Sequence, residues 1–155
     1  MSDAGPVTGG CLCGAIRYEA EAYLEKANYC HCRMCQRSSG APAEVAVPVK
    51  PGTLRFTKDE PKYFQSSHFV ERGFCPQCGS RLVWRSIERP DEVSLEVGCL
   101  DHPENVSPSE HTCVESQLPW YRIAEALPHT RSEDDPDLVA AWAKAGLCHD
   151  GRRVR

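Results

Sequence analysis

The sequence has no apolar run long enough to cross a membrane, and it has no excess of positive charge. Its 155 residues include 18 lysines and arginines against 22 aspartates and glutamates, which gives a formal net charge of -4 at pH 7. A membrane-spanning helix needs about 20 consecutive apolar residues, and non-specific nucleic-acid binding depends on basic residues that neutralise phosphates. We therefore expect no membrane span and no nucleic-acid partner.

Aromatic residues are also scarce, at 8%, whereas cysteine is abundant, with ten residues. The length corresponds to about one domain, at roughly 150 residues each. The amino-terminal residues show no basic segment followed by an apolar one, so we predict no secretory signal and expect a cytoplasmic protein. In a reducing compartment, cysteines at this density favour metal binding over disulfides.

Short segments of alternating apolar and polar residues predict a mainly β fold. The predicted strands cover residues 16–19, 43–49, 53–57, 63–65, 68–70, 82–84 and 93–97. One helix is predicted near the C-terminus: Asp135 can cap it, Pro136 suits its first position and Gly146 ends it.

Seven of the ten cysteines fall in three short clusters, which are Cys11-Leu12-Cys13, Cys30-His31-Cys32-Arg33-Met34-Cys35 and Cys75-Pro76-Gln77-Cys78. A C-x-x-C turn places two thiols on one side, and here Pro76 and Gly79 supply turn chemistry. The C-x-C pair needs a bend, which the neighbouring Gly14 permits. Two such pairs make the four-thiolate tetrahedron that zinc prefers. We therefore predict a structural zinc held by Cys11, Cys13, Cys75 and Cys78.

The middle cluster leaves three further thiols, those of Cys30, Cys32 and Cys35. Three protein ligands with an open fourth position are the arrangement of a catalytic zinc, so we predict a second zinc here. Two alternatives stay open: a fourth ligand such as His31 or Cys99 closes the site, or the seven thiols are partitioned differently. The isolated cysteines are expected to be small buried apolar residues; they are Cys99, Cys113 and Cys148.

The ordered clusters resemble those of the glutathione-dependent formaldehyde-activating enzyme family, which includes the centromere protein V-like proteins. The stretches that carry the resemblance are 9–18, 30–35, 74–80, 98–101 and 114–120. The resemblance implies an Mss4-like β-tent fold, with a structural zinc and a second, three-cysteine zinc at the cysteines assigned above. It also implies a carbon–sulfur lyase-type enzyme in which glutathione reaches the second zinc and combines with formaldehyde to give S-hydroxymethylglutathione.

Several side chains near the clusters have candidate roles. Arg33 and Arg37 flank the second cluster and are interpreted either as groups that clamp a carboxylate of glutathione or as charges that face the solvent. Asp101 and His102 are interpreted either as a proton relay or as surface residues. A tryptophan and a tyrosine are expected in the core rather than in a substrate wall; they are Trp120 and Tyr121.

The predicted organisation is an N-terminal tail (1–8), a zinc-binding β domain (9–130) and a C-terminal helix with its tail (131–155). The alternative to an enzyme is a non-catalytic, zinc-stabilised binding domain. These two hypotheses differ in the second metal site, which is open in the enzyme and closed by a fourth ligand in the binding domain. Counting the ligands of that site therefore separates them.

Overall fold

The computed structural model describes residues 3–146; Cys148 and the predicted tail after Gly146 lie outside this range. The described residues are mostly in short strands, and the predicted mainly β fold is confirmed. The strands are β1 (Gly5–Gly10), β2 (Arg17–Ala22), β3 (Asn28–Cys30), β4 (Glu44–Pro48), β5 (Arg55–Phe56), β6 (Lys62–Gln65), β7 (Val70–Phe74), β8 (Arg81–Ser86), β9 (Val93–Glu96), β10 (Glu110–Thr112) and β11 (His129–Thr130). The helices are α1 (Arg33–Ser39) and α2 (Pro136–Lys144).

The chain divides into two compact units. The described part of the first unit comprises residues 3–27 and 45–108, and that of the second comprises 28–44 and 109–146. The first unit contains the outer two cysteine clusters, and the second contains the middle one. Among residues 3–146, no helix has the length and apolar character needed to cross a membrane. The division into tail, β domain and C-terminal helix stays a prediction, although β1 begins at Gly5.

The first unit is built from antiparallel strands. One sheet has the order β1-β2-β5, and a second run has the order β4-β9-β8-β7-β6. In β2 the alternation of side chains buries Tyr18 and Ala20 and leaves Glu19 exposed, as expected for a strand with one face on a core. The largest fully buried apolar side chains of this unit are Tyr18, Ile16, Leu82, Leu95, Val47 and Val83.

The second unit is built around three short parallel strands. The central strand β10 pairs with β3 on one side and with β11 on the other. The predicted C-terminal helix is present as α2, and the Asp135 carboxylate caps it by accepting the N–H groups of Asp137 and Leu138 at 3.0 and 3.1 Å. This helix buries Trp142.

Helix α1 was not predicted from the sequence. Its seven residues are too few to show an apolar stripe of helical period. Its end carries the only local signals: Arg37 lies in the last turn, and Gly40 follows with a φ of 73°. A glycine in the left-handed region after a basic last turn is a common helix stop, so these two residues could have indicated it.

Gly9 allows a close approach in the first unit. A Cβ atom at this position would lie 2.4 Å from the Cys99 carbonyl oxygen and 2.4 Å from the Tyr18 hydroxyl oxygen.

We expect Gly9→Ala to lower the free energy of unfolding by about 1–3 kcal/mol, because the added methyl group overpacks this site. Gly98→Ala is the matched control, because no atom lies within 4 Å of its added Cβ. Urea denaturation of both variants measures the difference, and equal stabilities would contradict the close approach.

Candidate metal centres

The first centre is formed by two turns, one closed over three residues and the other over four, and each ends in a glycine. In one turn the Gly14 N–H donates to the Cys11 carbonyl at 3.1 Å, and in the other the Gly79 N–H donates to the Cys75 carbonyl at 2.9 Å. Both glycines have a φ of 78°, in the left-handed region that glycine adopts without strain. Each turn therefore closes just after its second cysteine, which directs both of its thiols to one side.

The four thiols of these turns meet at one point. Their sulfur atoms all lie within 4.8 Å of one another. The sulfur of Cys13 is 3.5 Å from that of Cys11 and 3.8 Å from that of Cys75. Zinc–sulfur bonds of about 2.3 Å in a tetrahedron place sulfur atoms about 3.8 Å apart. The donor set and its spacing therefore match the preferences of zinc.

Hydrogen bonds hold the first centre to its surroundings. The Ile16 N–H donates to the Cys11 sulfur at 3.2 Å. The Ser80 hydroxyl accepts the Leu12 N–H at 3.0 Å and lies 3.2 Å from the Cys78 sulfur. This hydroxyl and the Ser80 backbone N–H lower the pKa of Cys78 to about 5. Such contacts orient ligands and favour the thiolate that a metal binds.

The second centre is assembled where a strand passes into a helix. Cys30 is the last residue of β3, Cys32 caps α1, and Cys35 lies in the first turn of that helix. The Cys35 N–H donates to the Cys32 sulfur at 3.2 Å. The three sulfur atoms lie within 4.8 Å of one another. Both clusters can therefore hold metal ions. The three thiols of the second cluster come together because the chain passes from strand β3 into helix α1 within six residues.

A further cysteine, Cys113, lies next to the second centre, directly after strand β10. Thr112, the residue before it, is paired with Cys30, and the Cys113 side chain is buried. The thiols of this centre that lie within 4.8 Å of one another are nevertheless those of Cys30, Cys32 and Cys35 alone. The neighbouring Cys30 thiol and burial raise the pKa of Cys113 to about 12, against a lowering effect of Cys32. Cys113 in turn is the first cause that raises the pKa of Cys32. Without a cation these thiols stay protonated, whereas a bound cation favours their thiolates. Cys113 is buried as expected, but it is not isolated in space.

His31 lies between two cysteines of the second centre in sequence, but its ring belongs to a histidine pair. Its Nε2 is 2.8 Å from the Nδ1 of His111, and the Nε2 of His111 is 3.3 Å from the Ala124 carbonyl oxygen. A carbonyl only accepts, so His111 carries its proton on Nε2 and accepts from His31 at Nδ1. The Nδ1 of His31 then has no proton, and it has no hydrogen-bond partner among the described residues.

Burial and two neighbouring imidazoles lower the pKa of His31. Both His31 and His111 have 0% of their surface exposed. Desolvation first, and then His111 and His129, lower the pKa of His31 to about 4. The ring of His111 is stacked between those of Tyr29 and His129, with centroids 4.8 and 4.5 Å away. The stack fixes the strand end that carries Cys30.

Gln36 anchors helix α1 at the second centre. Its side-chain amide donates to the carbonyl of His31 at 2.8 Å and to that of Ser116 at 3.0 Å. The guanidinium of Arg33 donates in turn to the Gln36 side-chain oxygen. Arg33 and Arg37 are both exposed on this helix. The structure therefore places both predicted arginines on the helix that carries Cys35, with Arg33 engaged by a neighbour.

The acidic residue considered for proton transfer is held as an anion. Asp101 accepts the Arg17 guanidinium at 2.9 Å and the Thr8 hydroxyl at 2.6 Å. These contacts, with Arg17 first, lower the pKa of Asp101 to about 2. His102 pairs with Glu104 at 3.0 Å on the exposed surface. The geometry gives Asp101 and His102 a surface role in the first unit.

The expectation that Trp120 lies in the core is wrong, because 70% of its surface is exposed. The residue is at the tip of a turn that closes when the Tyr121 N–H donates to the Leu118 carbonyl at 3.0 Å, and a side chain at such a tip points away from the core. Tyr121 is partly buried instead, with its ring centroid 6.3 Å from that of His31.

A cleft of about 390 Å³ lies in the second unit and includes Val114, the residue after Cys113. Its polar lining comes from Gln117, Arg122, Glu125 and His129. Small-molecule sites commonly measure about 300–1,000 Å³. Sequence reasoning missed Arg122 because no motif surrounds it, and the only signal was a cation just after the Pro119-Trp120 turn.

Comparison with known proteins identifies a family through one sequence model. The sequence model of the family described as "Glutathione-dependent formaldehyde-activating enzyme" matches residues 6–116. A Schizosaccharomyces pombe protein named as an uncharacterized lyase is 26% identical over 116 residues, which cover 75% of this chain and 84% of the relative. A solved Rhodobacter sphaeroides protein has a TM-score of 0.50 at 20% identity, covering 79% of this chain and 99% of that chain. This last likeness bears on the fold alone.

The two centres are expected to differ in their effect on folding. Cys75→Ser removes a ligand that joins the two turns of the first centre, so the variant should be unfolded. A structural zinc contributes on the order of 10 kcal/mol, against a total stability of about 5–15 kcal/mol. Cys32→Ser should remain folded and lose one metal ion. Circular dichroism and metal analysis of the purified proteins measure both effects.

Cys99→Ser is the matched control for these variants. Cys99 is also partly buried in the first unit, but its thiol donates to the Arg81 carbonyl at 3.1 Å, and a serine hydroxyl can replace that bond. The control should fold and retain its full metal content. If Cys75→Ser and Cys32→Ser unfolded to the same extent, the division into a structural and a second centre would be wrong.

Proposed function

Because the chain belongs to the glutathione-dependent formaldehyde-activating enzyme family, we propose that it is a zinc-dependent carbon–sulfur lyase-type enzyme acting on a glutathione–aldehyde adduct. The observation that carries this proposal is the group of three thiols at the junction of β3 and α1, where Cys30, Cys32 and Cys35 lie within 4.8 Å of one another. The relative named as a lyase supports the same reaction class.

The reaction joins a thiol to a carbonyl group. The sulfur of glutathione forms a bond to the aldehyde carbon, and the thiol proton passes to the carbonyl oxygen; the reverse reaction breaks that carbon–sulfur bond. Zinc held by Cys30, Cys32 and Cys35 would favour the thiolate form of the substrate thiol. Three thiolates around a divalent cation leave a net charge of -1, which suits binding of a thiol better than activation of water.

The chain's own residues would bind and orient glutathione, whose two carboxylates need cationic partners. Arg37 is exposed in the last turn of α1, and Arg33 is held at the start of the same helix by Gln36. Arg122 lies in the cleft and is bonded to the Pro119 carbonyl at 3.1 Å. We assign carboxylate recognition to these three guanidinium groups, with Arg37 as the principal one. A substrate of this kind, and thiols that must stay reduced, fit a cytoplasmic location.

A second candidate function is a binding domain in which both metals are structural. It is favoured by one specific observation: Thr112 is paired with Cys30, and this pairing places the buried Cys113 next to the second centre. A fourth thiolate would close the second centre and leave no position for a substrate. The two functions therefore differ in whether an external thiol can enter the second centre.

The catalytic proposal predicts faster exchange between free glutathione and its formaldehyde adduct. The spontaneous equilibrium exists without protein, so the rate of exchange is the quantity to measure, by two-dimensional exchange NMR with and without the enzyme. The wild type should increase the rate and Cys32→Ser should not. If the rate with folded, metal-loaded wild type equalled the spontaneous rate, the enzyme assignment would fail.

Substrate recognition is tested separately by binding. Arg37→Ala should weaken glutathione binding, because loss of a charge-assisted contact costs about 1.5–3 kcal/mol, or roughly 10- to 150-fold in the dissociation constant. Titration of the cobalt-substituted protein reads this out through the absorption of the bound ion. Arg89→Ala is the control, since Arg89 is exposed in the first unit and pairs with Glu92. Equal affinities for both variants would remove Arg37 from the site.

A further inference from the structure

A crevice of about 250 Å³ lies in the first unit, and none of the seven clustered cysteines lines it. Its lining is mostly apolar and comes from strands β5, β6, β8 and β9 and from the segment before β5. Two of the apolar residues are buried, and the other four keep some exposed surface. The six are Val49 and Val83, which are buried, and Leu54, Phe56, Tyr63 and Val93. The crevice therefore has apolar surface that a ligand could cover.

Two turns border the crevice, and both are stiffened by proline. Pro51 and Pro90 occupy the second positions of turns at residues 50–53 and 89–92, and both line the crevice. In each turn the N–H of the fourth residue donates to the carbonyl of the first, at 3.2 and 2.8 Å respectively. Gly52 has a φ of 76°, as the third position of a type II turn requires. Such a preformed site loses little conformational entropy when a ligand binds.

The guanidinium of Arg85 is held in place where it lines the crevice. Its Cζ lies 3.6 Å from the centroid of the Tyr63 ring, and that ring packs on Gly73, where an added Cβ would lie 3.0 Å from it. Nε donates to the Glu71 carboxylate at 2.7 Å, and Nη2 lies 2.7 Å from the same oxygen. The remaining nitrogen, Nη1, has no hydrogen-bond partner among residues 3–146. Arg85 therefore offers a fixed donor for a ligand.

The charges and size of the crevice narrow the class of ligand. Lys50 and Arg85 are the two cations of its lining and Asp91 is the one anion, so an anionic ligand is favoured. A guanidinium matches the planar geometry of a carboxylate. The volume is below the roughly 300–1,000 Å³ of sites for drug-sized molecules, which suits a single ring, and Phe56 provides an aromatic surface on which a ring can pack.

We propose that this crevice is a binding site for a small aromatic carboxylate, with the ring against Phe56 and the carboxylate at Nη1 of Arg85. The site is formed by the first unit without the clustered cysteines. It goes beyond the proposed lyase function and does not depend on it. A ligand bound here would cover apolar lining and give Arg85 a second acceptor beside Glu71.

The ligand class is tested by fluorine-19 NMR titration of the full, zinc-loaded chain with three probes. They are 4-fluorobenzoate, 4-fluorobenzyl alcohol, which has the ring without the charge, and trifluoroacetate, which has the charge without the ring. Only 4-fluorobenzoate should bind saturably at millimolar concentration. Loss of the charge-assisted bond should weaken binding of the alcohol roughly 10- to 150-fold. No saturable binding of 4-fluorobenzoate, or equal binding of either other probe, would overturn the proposal.

The location is tested with Arg85→Gln, which keeps a donor for Glu71 but removes the cation. It should weaken 4-fluorobenzoate binding by the same roughly 10- to 150-fold. Arg55→Gln is the matched control, because Arg55 lies next to Phe56 on β5 but pairs with Glu19 and does not line the crevice. Its affinity should equal that of the wild type. Equal affinities for the two variants would place the probe elsewhere and overturn the site.

Two further variants decide the question if Arg85→Gln does not fold. Asp91→Asn changes an exposed turn residue and removes the one anion of the lining, so it should tighten 4-fluorobenzoate binding roughly 1.5- to 5-fold, the size of exposed ion-pair effects. Cys32→Ser should bind the probe as the wild type does, because the site does not use the second metal. An unchanged affinity in Asp91→Asn, or loss of binding in Cys32→Ser, would overturn the proposal.

Discussion

The close approach of four thiols to one another is the constraint on which the first unit depends. Sulfur atoms 3.5 to 3.8 Å apart cannot all ionise without a cation, because like charges at that distance repel strongly. A metal ion reverses the sign of this interaction. Cys11 and Cys75 also belong to the apolar core of the unit, so the turns that bring the four thiols together also cover the core.

The second unit also brings thiols close together, but its three clustered thiols lie within six residues of one another in the sequence. Residues that are distant in the sequence supply the side chains around them. The strand pairing of β3 with β10 supplies Cys113 and the buried imidazole of His111, while Gln36 fastens the helix to the same segment. His31 and Gln36 are thus hydrogen-bonded to residues 111 and 116, so changes far from the clustered cysteines in sequence can affect the centre.

Much of the local structure could be predicted, because it depends on local chemistry. Alternating side chains indicated β2, β8 and β9, and Asp135 with Pro136 indicated α2. The positive φ of Gly14 and Gly79 follows from the turns that their cysteine motifs need. The parallel pairing of β3, β10 and β11 was not predictable, since two- and three-residue strands carry no periodicity. Without that pairing, Cys113 is interpreted as an isolated cysteine. The exposure of Trp120 depends on a separate turn that the Tyr121 N–H closes on the Leu118 carbonyl.

The candidate ligands of the two centres differ in how far apart they lie in the sequence, and this difference affects when each centre could bind a metal ion during folding. Cys13 and Cys75 are 62 positions apart, so an unfolded chain must close a long loop before the first centre exists, at an entropic cost that grows with loop length. Cys30, Cys32 and Cys35 span six residues and can capture an ion while the chain is still unfolded. Binding to the unfolded chain reduces the stabilisation that a ligand provides. A metal ion at the first centre would therefore bind only after the first unit has folded, whereas a metal ion at the second centre could bind before folding begins.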